Sequence, residues 1–393
     1  MKSIFLTSFL LCLSLFANEL EKVYGWDKMD WIFDTQDERN IFIGNNVAQK
    51  APLAGVHIDD KGIFYISVPR WMDKNVPSTL NKIVYANNKE LLQPYPTSWM
   101  NSLDNPEGLR NVLGFCIDAK HRMWILDKGD VAGITQTPKN GQKIVVYDMD
   151  NEKVIHTFLI NDNLANRDKS FLNDITVDVI HDVAYISDSG IKSAPFNETG
   201  IIVYDLKTNK ARRVLNRDKS TINNPRVNLI ANGEKVFKDK PFQVGINGIA
   251  VSYDGKKLFW SLTTGREFYM IETKLLRDFS TPESQIAKAV KDLGSFGGSS
   301  DGITIDKNNN VYITDLTNNR IVMYSEKTET FETLVQDKKL IWPDTVSISK
   351  DRWLYFSVNR LHKAFAGTLK FNNNKDNFEI WRAKMPQQNK DEK

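Results

Sequence analysis

Residues 300–319, SDGITIDKNNNVYITDLTNN, run from a short apolar strand through a turn of Asp, Lys and Asn into a second strand rich in β-branched and aromatic residues. The same pattern stands at 53–71 (LAGVHIDDKGIFYISVPRW), 113–129 (LGFCIDAKHRMWILDKG), 172–190 (LNDITVDVIHDVAYISDSG), 246–265 (INGIAVSYDGKKLFWSLTTG) and 343–360 (PDTVSISKDRWLYFSVNR). Such a unit cannot bury both of its faces alone, so the copies must stack. Six similar sheets closed into a ring make an all-β, six-bladed propeller whose first strands converge on a central channel. Each hairpin is followed by a second pair of β-prone runs, as in LNKIVYANNKELLQPYP at 80–96 and GQKIVVYDMDNEKVIHTFLI at 141–160, which predicts four strands per blade. The lead segment VYGWDKMDWIF at 23–33 has no hairpin of its own. It is expected to join the last blade and close the ring, hiding both sheet edges. The insert at 216–241 and the helical stretch at 275–290 read as loop decorations.

With 393 residues, 41% hydrophobic and 26% charged, the chain can bury a large core. Its formal charge of +3 drops to +2 without Lys2, too near neutral for a nucleic-acid partner. Lys2, the apolar run Ile4 to Phe16 and the small Ala17 read as an export leader over residues 1–17. The run is shorter than the ~20 residues that span a bilayer, so no membrane association is expected after cleavage, and the location is secreted or periplasmic. The propeller then covers 18–385 and a polar tail 386–393. Cys12 leaves with the leader, and the remaining Cys116 has no partner for an intrachain disulfide.

Particular words of the sequence carry a resemblance. SVPRW at 67–71, PSTLN at 77–81, LLQPYP at 91–96, then WILD, LND, AYISD and GIIVYDL in that order resemble the Yellow/major royal jelly protein family over nearly the whole mature chain. The resemblance implies an exported six-bladed propeller, in agreement with the repeat count, and does not imply one activity. Members include proteins of dopachrome conversion, salivary binders of biogenic amines and nutritive or signalling proteins. The paired cysteines of the animal pattern are missing near Asn105 and Pro138, which makes this a bacterial-type member.

Aligned on the turn after the first strand (Asp59 in the first blade, Asp306 in the fifth), the residues five places earlier are Ala54, Leu113, Asn173, Asn247, Asp301 and Asp344. Four consecutive blades thus aim an amide or carboxylate oxygen at one channel mouth, with Asp174 beside Asn173 and with Gly248 and Gly302 allowing close backbone approach. Asn173, Asn247, Asp301 and Asp344 are hard oxygen ligands suited to Ca²⁺. The arrangement is similar to gluconolactonase and paraoxonase propellers, whose central calcium also takes a Glu from the first blade, here replaced by Ala54. The competing reading is that these side chains cap strand starts. The second strands end on the same face at Arg70, Trp71, Asp127, Asp188, Asp315, Asn359 and Arg360. There, carboxylates and an aromatic ring could hold a small amphipathic ligand, or cap turns and form structural ion pairs. His57 and Cys116 share an inner-strand position, where His57 is a candidate general base or a buried histidine held by a carbonyl. Asn197-Glu198-Thr199 matches a glycosylation acceptor.

Two functions follow as expectations. The preferred one is an exported binder of an amine, aromatic or related metabolite at the channel mouth. The alternative is an enzyme at the same site, a lactonase-like metal-dependent hydrolase or a dopachrome-type isomerase.

Overall fold

The computed structural model describes residues 19–372 and 375–386, so the leader at 1–17 and all but the first residue of the tail lie outside the described residues. Six four-stranded antiparallel sheets form the blades of a ring; five run in chain order from the axis outward, and the sixth takes its outer strand from the start of the chain. In the third blade these strands are Leu172–Asp178, Val183–Asp188, Gly200–Asp205 and Lys210–Val214. All six residues of the second strand are buried, because neighbouring blades cover both of its faces. The outermost strand is largely polar and partly exposed.

The hairpin repeat has a side-chain mechanism. Asp59, Asp118 and Asp306 each take two backbone N–H groups of their own turn on Oδ1. Their Oδ2 atoms accept from an aromatic residue six places on: Tyr65 at 3.3 Å, Trp124 at 2.8 Å and Tyr312 at 3.1 Å. Every one of the six turns also contains a residue in the left-handed region: Gly62, His121, Asp182, Gly255, Asn309 and Arg352. The turn therefore fixes the register and the aromatic locks it.

The ring closes as the sequence implies. Leu20–Trp26 pairs antiparallel with Phe378–Lys384 as the outer strand of the sixth blade. Five residues further on, Trp31 makes a parallel bridge to Leu92 on the outer strand of the first blade. The lead segment thus staples both sides of the seam. The Trp31 indole is buried and its Nε1 donates to Ser78 Oγ at 2.9 Å and Asn81 Oδ1 at 2.8 Å. The helices Thr273–Arg277 and Glu283–Ala289 lie between the third and fourth strands of the fourth blade, as decorations.

Removing the Trp31 ring leaves a large void and unpaired polar groups in this seam. Trp31→Ala is expected to lower unfolding free energy by about 3–5 kcal/mol, read from denaturant melts, whereas substitution of exposed Trp99 changes it little.

Candidate functional site

Near the axis the inner strands break register. The pairing with the second strand slips between Val112 and Phe115, between Leu172 and Ile175, between Ile246 and Ile249, and between Pro343 and Val346. The residues inside these bulges include Leu113, Asn173, Asn247 and Asp344, three of the four aligned oxygen-bearing positions. A bulge re-aims a side chain that a regular strand would point into a blade interface. The following glycines explain how six strands fit. A Cβ on Gly114 would stand 2.6 Å from Asn173 O, on Gly248 2.7 Å from Ile303 N, and on Gly302 2.5 Å from Asp344 O. Serines at the ends of second strands tie each bulge to the next blade: Ser67 Oγ donates to Leu113 O, Ser187 Oγ to Asn247 O and Ser357 Oγ to Ala54 O, at 2.6–2.8 Å.

Asn173, Asn247, Asp301 and Asp344 consequently meet at the bottom of one mouth cavity of about 400 Å³. Asn247 Nδ2 donates to Asp301 Oδ1 and to Thr263 Oγ1, both at 2.6 Å. Trp342 Nε1 donates to Asp301 Oδ2 at 2.7 Å, and Asn359 Nδ2 to Asp344 Oδ2 at 2.6 Å. Burial pushes the Asp301 carboxyl up to about 6, against the lowering effect of its Trp342 and Asn247 donors. Asp344 is held well above the usual carboxylate range by burial and then by the charge of Asp301. Asp174 is raised to about 7, chiefly by burial. It lines the narrow neck below the mouth and the opposite end of the channel, not the mouth itself.

Apart from the expected Trp71, the aromatic mouth walls come from residues that the strand alignment passes over. Trp71, Phe171, Phe237, Phe242, Trp342 and Phe365 stand around the polar floor. Phe237 lies in the insert expected as mere decoration, and Phe365 closes the short helix Leu361–Phe365 after the sixth hairpin. Phe171 and Trp342 sit two residues before Asn173 and Asp344, so proximity to the aligned positions was their available signal.

The remaining expected ligand groups are placed elsewhere, for a common reason. Asp127, Asp188 and Asp315 are fully buried, cap the loop that follows the second strand and pair with a cation of their own blade. Asp127 accepts from Arg110 N, Asn111 N and Gly129 N and lies 3.3 Å from Lys143 Nζ. Asp188 pairs with Arg213 at 2.8 Å, reaching past Gly200, and Asp315 pairs with Arg320 at 2.7 Å. The capping alternative describes all three. Arg70 is buried too, donating to the carbonyls of Val76, Pro77, Asn101, Leu109 and Arg110, with burial lowering it to about 10. It clamps loops and lines no part of the mouth. Arg360 turns outward to Asp376 O at 2.6 Å. Asn359 braces Asp344 from behind, and only Trp71 of this second-strand set lines the mouth. His57 lines the neck and the far chamber, not the mouth, 4.8 Å from the Phe115 ring between centroids, and burial lowers it to about 4.

The donor set also bears on calcium, which takes six to eight oxygens. Ala54 and Leu113 leave two blades without a ligand. Both Asp301 oxygens and one Asp344 oxygen already accept N–H donors. Among the described residues no three His, Cys, Asp or Glu side chains gather as a metal site. These residues, as arranged, do not fit a calcium ion.

The sequence profile of the family described as "Major royal jelly protein" matches residues 111–393. The chain belongs to the major royal jelly protein family. Major royal jelly protein 7 of Apis mellifera is 26% identical over 397 residues, covering 90% of this chain and 83% of that protein. The yellow-related salivary protein LJM111 of Lutzomyia longipalpis is 22% identical, covering 85% and 82%. The match to major royal jelly protein 5 of Apis mellifera, 26% identical, spans 66% of this chain and 42% of that relative. Among solved structures the chain is similar to a luciferin-regenerating enzyme, with a TM-score of 0.50 and 14% identity over 86% of this chain and 94% of that one, a likeness of fold alone.

Raised carboxyls make the apo protein sensitive to pH in a defined direction. Asp174 binds its proton more tightly folded than unfolded, so its stabilising contribution is complete below pH ~4 and is lost as pH rises to about 7. Thermal melts of Asp174→Asn against the parent are expected to show a shallower fall in stability between pH 4 and 7.

Proposed function

We propose that this family member is an exported protein that binds a small organic amine with an apolar or aromatic body in the mouth of its channel. The observation that carries this is the charge of the lining. Asp301 and Asp344 form the floor, six aromatic rings form the walls, and among the described lining residues there is no Lys, Arg or His. Two buried carboxylates without a basic partner are costly as anions, as their raised proton affinities express. An ammonium group supplies the missing counter-charge, while its organic body displaces water from the aromatic walls. The cavity of about 400 Å³ is of the size that encloses a small ligand. Export accords with relatives named for royal jelly and saliva. The enzymatic alternatives draw no support from the mouth, which contains no acid/base pair of separated roles, His57 lining the neck and the far chamber instead.

Isothermal titration with a panel of aromatic amines and their neutral and carboxylate counterparts tests the reading. Amines are expected to bind, and Asp301→Asn to weaken them by about tenfold or more, the scale of a lost charge-assisted contact. Amine affinity should rise as pH passes through 6, because Asp301 must be ionised to pair. Equal binding of the neutral analogues would sink the proposal. A calcium-dependent rise in melting temperature abolished by Asp301→Ala would replace it with the metal-centred alternative.

A further inference from the structure

The channel has a second chamber at its other end, where the inner strands run into their turns. Its volume is about 590 Å³, and it shares no lining residue with the mouth, the two being joined by the narrow neck. We infer that this chamber is a separate binding site for a hydroxylated organic anion of the size of a sugar phosphate.

Three cations on adjacent blades stand at its rim: Lys307 from the fifth, and Lys350 and Arg352 from the sixth. Among the described residues none of them has a carboxylate within ion-pair distance. Two of them are nevertheless held in place. Lys307 Nζ lies 5.4 Å from the centroid of the Tyr253 ring, another lining residue, and Arg352 Nη2 donates to Pro386 O at 2.7 Å, leaving its other guanidinium N–H groups available. Deeper in, the inner strands present Thr176, Thr304 and Ser347; Thr176 Oγ1 and Ser347 Oγ accept from Val251 N and Ile58 N of the neighbouring blades, which leaves their hydroxyl hydrogens to donate to a polyol. Three acidic groups share the lining. Asp306 is spent on its own turn and on Tyr312, Asp174 lies at the neck, and Asp60 stands in the first-blade turn. At the rim the three cations outnumber Asp60, and the hydroxyls lie between them and Asp174. That polarity orients a ligand with its anionic group at the rim and its hydroxyls inward, opposite to the acidic, aromatic mouth.

The test titrates the full chain with glucose 6-phosphate and with glucose by calorimetry. Glucose 6-phosphate is expected to bind at least about tenfold more tightly than glucose, and Lys307→Ala combined with Lys350→Ala to weaken it by about tenfold or more. Both lysines lie in turns, so the melting temperature should be unchanged. Asp301→Asn should leave this binding intact, which separates it from the amine site. No measurable binding of glucose 6-phosphate, equal binding of glucose, or undiminished binding by the double variant would each overturn the inference.

Discussion

Six strands starting around one axis leave almost no room between their backbones, and the rest of this molecule follows from how that crowding is relieved. Gly55, Gly114, Gly248 and Gly302 stand where a Cβ would collide with the next blade. Preceding residues are displaced toward the axis by bulges, and serines stitch each displaced backbone to its neighbour. Leu113, Asn247 and Asp301, each just before such a glycine, line the channel mouth. The ring of Asn173, Asn247, Asp301 and Asp344 is thus a product of backbone packing before it is a product of chemistry.

The same geometry divides polar groups into two kinds. Carboxylates one strand further out, at Asp127, Asp188 and Asp315, have a lysine or arginine of the same blade within reach and a loop to cap, and so stabilise the blade. Asp301 and Asp344 at the axis accept instead from amides, an indole and the Thr345 hydroxyl, with no Lys or Arg among the described lining residues of the mouth. Their hydrogen-bonding capacity is largely taken up, but no cation of the blade offsets their charge.

The blade count, the four-stranded blades and the closing strand were legible because each rests on local signals: an Asp that caps a turn, a left-handed residue three or four places later, and an aromatic that reaches back. The meeting of the four axial groups was legible by alignment on those turns. The second-strand carboxylates misled because a terminal Asp looks the same whether it faces a cavity or a cation. Lys143 and Arg213 lie 16 and 25 residues further along the chain, and cross-strand register alone brings them close. The aromatic walls were hidden for a similar reason. Phe237 comes from the insert and Phe242 directly follows it, in a stretch that has no repeat to align, so its position over the channel is decided by tertiary packing.

The strand at Leu20–Trp26 completes a sheet whose other members end at Lys384, and Leu20 lies opposite Ala383. The first strand to leave the ribosome is therefore among the last to find its partner. Until residues 378–384 exist, the sixth sheet keeps an open border and the circle a gap, so closure is an event of the completed polypeptide. The ring therefore acquires its final rigidity only once the two strands that meet at its seam are both present.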